Sequence, residues 1–544
     1  MKLSRIAMLI ATLSSTSSAF AFDNASLQQA LDQRLKGDRT GACFAAAVIE
    51  KDQVSRALAC ADADADHKRR ISADASFEIG SISKTMNAAL LASLVAEGKL
   101  SLDDPLAKHL PPSSTPPQWQ DQPILLRHLL THSSGLPSIP PSWQLTNPAN
   151  PYSSVSEDQL LGALSTIKLQ AAPGSHFEYS NYAAMLLSWV LAKAAGQDYE
   201  TLIRQRLFQP LAMQSAYLEH PSEQVQAVQG HSPNRQPAAA WTFPKNTAGV
   251  GGVRASLNDM IHYLQAQIGQ RESSASEAIK ATHELLSSAD GQRIAWGWML
   301  APLNGREFLV HEGGTGGFSA FAAFSRDGER AAVVLSDTAL TSLGGLSSIG
   351  LHLLDPLVPV GPPRREIKPD PELLDALVGR YRLQGGLNME LRRQGDALEI
   401  QAEGQPAFLM GYDSAGDFYP QAFDAVLRPT KRSDGSAVFS WLQGGGSTPA
   451  RRVDQALPAA NAPLSDYAGR YPLMPGFELK VFVDGDQLKA QATGQGAFAL
   501  DPAGADRYSA DAYGIEIVFE RGLEGAVAGL KLHQAGQTLS GQKQ

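Results

Sequence analysis

The chain has 544 residues, more than one domain ordinarily holds, and its 43% hydrophobic and 19% charged side chains are ordinary for a globular protein with a sizeable core. A formal charge of -9, with Lys and Arg scattered along the sequence, offers no basic stripe for phosphates and argues against nucleic acid as a partner. No collagen-like or solenoid pattern is present.

Met1-Lys2-Leu3-Ser4-Arg5 is positively charged, Ile6 to Leu13 is mostly apolar, and Ala19-Phe20-Ala21 has the small-x-small pattern of a cleavage site. Residues 1–21 therefore read as a signal peptide cut after Ala21. The alternative is a membrane anchor, but the apolar run falls short of the roughly 20 residues that span a bilayer. The mature protein is expected to be periplasmic or secreted, without a membrane span, where disulfides persist. Cys43 and Cys60, the two cysteines, flank a hairpin-like stretch, Phe44 to Glu50 and Gln53 to Ala59. If Lys51-Asp52 is a two-residue turn, facing positions sum to 103, which sets 43 opposite 60. A cross-strand disulfide is expected, with two reduced thiols as the alternative.

Ser81-Ile82-Ser83-Lys84 is the first candidate for chemistry. A Ser-x-x-Lys string is weak by itself: roughly two are expected by chance in a chain this long, and Ser165 and Ser540 also begin one. Ser165 ends an amphipathic stretch and Ser540 falls in what reads as a frayed C-terminus. Ser81 instead opens the buried-helix pattern Thr85 to Glu97, which Gly98 stops. The i, i+3 spacing puts Lys84 on the face of Ser81, where a desolvated amine can act as base or assist one. A capping Ser with a surface Lys is the competing reading of these four residues.

Downstream stand Leu129-Leu130-Thr131-His132-Ser133-Ser134-Gly135-Leu136-Pro137; a long loop, 138–156, with Trp143 and Tyr152; Phe177-Glu178-Tyr179-Ser180-Asn181-Tyr182; Ala248-Gly249-Val250-Gly251-Gly252; and His311-Glu312-Gly313-Gly314-Thr315-Gly316-Gly317-Phe318. His132 reads as part of a helix end that shapes the domain. The loop is a candidate for substrate selection. A first domain is expected over 22–358, followed by a Pro-rich linker over 359–370.

Beyond it lies an internal repeat with a constant offset of 90: Val378-Gly379-Arg380-Tyr381 and Gly395-Asp396-Ala397-Leu398 match Ala468-Gly469-Arg470-Tyr471 and Gly485-Asp486-Gln487-Leu488. Alternating strands around Gly turns, such as Glu478 to Val483, then Asp484-Gly485, then Gln487 to Gln491, predict two small antiparallel barrels, 371–456 and 464–544, separated by Leu457 to Pro463. Neither carries a constellation that reads as catalytic.

The blocks from Phe77-Glu78-Ile79-Gly80-Ser81 to Phe318 resemble, in order, those of the serine β-lactamase and penicillin-binding-protein superfamily, which includes class C β-lactamases, DD-peptidases, esterases and D-aminopeptidases. The resemblance implies an α+β catalytic domain, an antiparallel sheet flanked by helices beside an all-helical subdomain, followed here by barrels as in D-aminopeptidases. It implies that Ser81 is the nucleophile, that Lys84 and Tyr179 move its proton, and that Asn181 positions the substrate amide. Lys84 is expected to favour an ionised Tyr179. His311, Gly313 and Gly314 would bind substrate, and the Ser81 and Gly314 N–H groups would form the oxyanion hole. His311-Glu312-Gly313 departs from the usual Lys-Thr/Ser-Gly, so attraction for a substrate carboxylate should be weaker, while strand alternation turns Glu312 away. The expected activity is a peptidase or amidase for D-amino-acid peptides, peptidoglycan fragments included, through an acyl-enzyme, without metal or other cofactor. A carboxylesterase or weak β-lactamase, and a non-catalytic cell-wall-fragment binder, are the alternatives. Oligomeric state is not legible.

Overall fold

The computed structural model describes residues 22–544 except 62–70, 144, 146, 288, 385, 432–436, 444–445, 454–462, 475–476, 505, 522–525 and 535–536. The expected signal peptide and most of the segment expected to separate the barrels lie outside the described residues.

Six antiparallel strands make the central sheet: β1 (Cys43–Glu50), β2 (Gln53–Cys60), β3 (Met299–Leu303), β4 (Arg306–Gly314), β5 (Ser319–Ser325) and β6 (Arg330–Ser336). Their spatial order is β2-β1-β6-β5-β4-β3, so strands from the two ends of the domain meet in mid-sheet, Phe44 opposite Ser336. Residues of β1 and β2 that pair have numbers summing to 103, from Glu50 with Gln53 to Cys43 with Cys60, and a disulfide joins that last pair. Lys51 makes the turn by taking a φ of 49°, unusual for a side chain with a Cβ.

Alternation along β1 sends Phe44, Ala46 and Val48 to one face and Ala45, Ala47 and Ile49 to the other, and both sets are buried. Such a strand needs cover on both sides. Helix α1 (Asn24–Leu35) supplies Leu27 and Leu31 to the first face. The opposite face meets α4 (Leu257–Gln267), behind which α2 (Ser83–Ala96) and α3 (Asn181–Ala195) pack on each other in the same core, and α5 (Ser347–Leu354) adds Ile349 and Leu353 back on the first. Helix α2 is apolar nearly all round and buried in the core, and the turn that leads into it, 80–82, packs on β4 and β5.

Two eight-stranded antiparallel units follow. In the first, strand Gly379–Leu383 pairs with both Asn388–Gln394 and Gly446–Arg452, closing a barrel. In the second, from Gly469–Met474 to Gln537–Gln542, Arg470 and Gln544 exchange backbone hydrogen bonds across the ends of the sheet. The repeat extends to single bonds: Tyr381 Oη donates to the Leu377 carbonyl at 2.9 Å, and Tyr471 Oη donates to the Tyr467 carbonyl at 2.8 Å. Pairing of Gln394 with Ala397 and of Asp484 with Gln487 puts the tight turns at Gly395-Asp396 and Gly485-Asp486. The second is one residue later than Asp484-Gly485, because the first turn position needs the positive φ, 64° and 65°, that glycine adopts without strain. Ser540 is not frayed: Gln537–Gln542 is a full strand paired with Val527–Gln534.

The stretch 359–370, expected as a linker, is stitched to both neighbours. Arg364 N–H donates to Asp38 at 2.9 Å, and Arg365 N–H donates to Ser414 Oγ at 3.0 Å in barrel 1. Side chains complete the seam, with Arg39 Nε 2.8 Å from Asp413, Arg364 Nη1 2.7 Å from Asp417, and Arg428 Nη2 2.8 Å from Asp417.

Candidate active site

Ser81 sits in a single 3-10 turn, Gly80–Ile82, that leads into α2, so the helix proper begins two residues after it. Gly80 has φ +51°, and a Cβ there would stand 2.5 Å from the Gly314 nitrogen. A Cβ on Gly313 would stand 1.9 Å from the Ile79 carbonyl oxygen and 3.1 Å from the Ser81 nitrogen. The backbones of 79–81 and 313–314 therefore touch, and only glycine fits at this crossing. The structure accounts for Gly313 by packing. The same contact brings the Ser81 and Gly314 main chains side by side.

One turn after Ser81, as the second residue of α2, buried Lys84 has three acceptors for its ammonium: Ser81 Oγ at 2.9 Å, Asn181 Oδ1 at 2.9 Å and the Val250 carbonyl at 2.6 Å. None is a carboxylate. Burial without a counter-charge pulls the Lys84 pKa down to about 7. The neutral amine still has two protons for Asn181 and Val250 and turns its lone pair to the Ser81 hydroxyl.

Ser180 is the N-cap of α3, its Oγ accepting from Ala183 N–H at 3.0 Å, so Tyr179 stands just outside the helix and Asn181 is its first residue. Tyr179 lies over Lys84, whose Nζ is 5.0 Å from the ring centre. The ionised Tyr179 expected from the sequence is corrected here: burial pushes the phenol up by more than its hydrogen bond with Ser81 lowers it, and Lys84 loses its proton instead. His132 braces the ring, with centroids 4.2 Å apart, while its Nδ1 accepts from Ser180 N–H at 3.2 Å and its carbonyl from Glu178 N–H at 2.8 Å. Burial and the charge on Lys84 keep His132 neutral.

Two partners escaped sequence reasoning. The Val250 carbonyl reaches Lys84 because Gly249 packs against Tyr199, Ser188 and Asn87, where a Cβ would come within 2.6 Å of Tyr199 Oη. Tyr152, from the long loop, accepts a hydrogen bond from Asn181 Nδ2 at 2.9 Å and is stacked on Phe243, 5.3 Å between centroids. The donor expected to hold a substrate amide is thus engaged by Tyr152, which a substrate carbonyl would have to replace. A backbone carbonyl carries no side-chain signal, but a tyrosine in an otherwise polar, Pro-rich loop is a usable one.

On β4, His311 is buried and Glu312 points away, accepting from Ser347 Oγ at 2.8 Å at the start of α5. Burial, with the nearby Lys84 charge, lowers His311 to about 4. A separate cleft of ≈ 730 Å³ opens between the two barrels, lined by Arg382, Arg452, Phe498 and Tyr513 among others.

The family described as Beta-lactamase matches residues 27–344, a span that contains the sheet and the side chains placed around Ser81. The chain belongs to this family. It is therefore a serine hydrolase of the β-lactamase-related superfamily. The D-alanyl-D-alanine-carboxypeptidase/endopeptidase AmpH of Escherichia coli (strain K12) is 32% identical over 270 residues, which cover 46% of this chain and 68% of that protein. A beta-lactamase from Pseudomonas fluorescens is 28% identical over 243 residues, 44% of this chain and 64% of that one. The octameric penicillin-binding protein homologue from Pyrococcus abyssi shares the fold over 86% of this chain and 98% of its own, at a TM-score of 0.52 and 19% identity. A domain of unknown function (DUF3471) matches residues 454–543, which hold the second barrel. Among the described residues no helix is long and apolar enough to cross a membrane.

Proposed function

We propose that this hydrolase is exported and cleaves peptides containing D-amino acids, peptidoglycan fragments among them, through an acyl-enzyme on Ser81. The observation that carries the reading is Lys84, 2.9 Å from Ser81 Oγ and drawn down to about 7 by burial, which makes its neutral amine available as a base at neutral pH. The Ser81 proton passes to Lys84 Nζ as Oγ bonds the carbonyl carbon. The resulting oxyanion lies against the N–H groups of Ser81 and Gly314. When the scissile bond breaks, the proton returns from Lys84 through the Tyr179 hydroxyl to the leaving group, and water releases the acyl group by the reverse relay. Asn181 directs the substrate amide after Tyr152 yields its donor. The similarity to a carboxypeptidase/endopeptidase supports the D-peptide class, and the Cys43–Cys60 disulfide supports an oxidising compartment. A carboxylesterase is the second reading, favoured by the neutral His311.

A fluorophosphonate probe is expected to label the wild-type protein and not Ser81→Ala, and p-nitroanilides of D-amino acids to be turned over faster than the matching p-nitrophenyl esters relative to their uncatalysed rates. No labelling would overturn the acyl-enzyme; labelling with turnover of esters alone would replace the peptidase by the esterase.

A further inference from the structure

His311 is 4% exposed, and its Nδ1 lies 2.7 Å from the carbonyl oxygen of Glu312, the next residue. A carbonyl only accepts, so Nδ1 carries the proton and Nε2 carries a lone pair. Among the described residues Nε2 has no hydrogen-bond partner. The position of the ring is set by the strand. His311 and Gly313 are two apart on β4 and share a face, and Gly313 rests on Ile79 and Ser81, so His311 faces the cleft beside the nucleophile, its ring centre 6.5 Å from that of Tyr179.

A second proton on this ring is disfavoured from every side. The groups that face it are Lys84, a cation when protonated, and the neutral Tyr179 and His132. Burial and Lys84 hold its pKa near 4, so the imidazole stays neutral over the range in which Lys84 works. A buried lone pair of this kind is matched by a molecule that brings a proton to it.

We propose that His311 Nε2 accepts a hydrogen bond from an N–H or O–H of the substrate, so that the enzyme selects peptides with a neutral donor next to the scissile bond over those with a free carboxylate there. This rests on the acyl-enzyme reading and deepens it by naming the substrate class: internal peptide bonds and amides before C-terminal residues. A lone pair has nothing to offer a carboxylate, and enclosing that anion beside it forfeits the anion's hydration without return. An amide in the same place donates.

The test compares N-acetyl-D-alanyl-D-alanine with its C-terminal amide, which differ only in the group offered to His311. Calorimetric binding to the Ser81→Ala protein reads the discrimination without requiring Ser81 to react. The amide is expected to bind at least about tenfold more tightly than the acid. His311→Lys should reverse the order, and His311→Gln, which keeps a neutral acceptor, should retain it within about threefold. Equal binding of acid and amide, or a His311→Lys protein that folds and still prefers the amide, overturns the proposal. Should His311→Lys fail to fold, the wild-type preference and its retention in His311→Gln decide. Fluorophosphonate labelling of the wild type runs alongside: discrimination without labelling defeats the acyl-enzyme and leaves the His311 acceptor standing, and labelling without discrimination does the opposite.

Discussion

Two regions of this molecule bury positive charge, and they handle it in opposite ways. At the seam between the catalytic domain and barrel 1, Arg39 and Arg364 meet the carboxylate of Asp413, and Arg364 and Arg428 meet that of Asp417; Arg39 and Asp413 are 3% and 0% exposed at the side chain. Beside Ser81, Lys84 meets a hydroxyl, an amide oxygen and a backbone carbonyl. The matched charges hold two bodies together, with the Arg39 guanidinium also stacked 3.5 Å from the Tyr419 ring centre. The unmatched charge is unstable as a charge, and the proposed role of the amine as a base near neutral pH draws on this instability. On the proposed mechanism, the lack of a counter-ion for Lys84 among the described residues is the functional feature of the cleft.

The comparison breaks first at Lys84. Lys84→Met keeps the volume and removes the base, so kcat/KM on any substrate should fall between about 10²- and 10⁴-fold. Stability should hold or rise, since an uncompensated buried cation has been removed. Activity assays with denaturant unfolding on the same preparation check both halves; a variant that is destabilised and active would mean that Lys84 belongs with the structural charges.

The reverse dissociation is expected at the seam. Asp413→Asn keeps the shape but leaves Arg39 and Arg364 short of a carboxylate, at a cost of about 3–5 kcal/mol in denaturant unfolding, while the folded protein keeps its pH profile. A loss below about 1 kcal/mol would show that the seam is held by its backbone bonds and by Asn234, whose Nδ2 donates to the Pro420 and Phe423 carbonyls at 2.6 Å.

The two regions were not equally legible. Ser81 with Lys84 is a local spacing and the hairpin register follows from counting to a turn, so both were within reach of residue order, whereas Tyr179 and Asn181 were reached through the family resemblance. Arg39 and Asp413 are 374 positions apart, and nothing in a string of letters pairs them. The same holds for Tyr152 with Asn181 and for the stacking of His132 on Tyr179, which join separate loops. The protonation of Tyr179 was misjudged for a related reason: neighbouring residue types suggest charge effects, whereas burial, which outweighs them here, belongs to the folded chain.

The smallest change should sharpen the comparison most. Asn181→Asp puts a carboxylate where Asn181 Oδ1 accepts from Lys84 at 2.9 Å, turning the unmatched site into a matched one with a single atom exchanged. In the wild type the acting form is the neutral amine, so kcat/KM should rise with pH through a midpoint at about 7 and level off above it. A carboxylate at that distance favours the ammonium and should carry the midpoint upward by about 1–3 pH units. Activity at pH 7 then drops, and much of it returns at alkaline pH, which a misfolded or merely distorted site would not reproduce. His311, near 4, stays neutral throughout and contributes no second limb above pH 5. A midpoint that stays at about 7 in Asn181→Asp would assign the titration to some other group and remove the missing counter-ion from the mechanism.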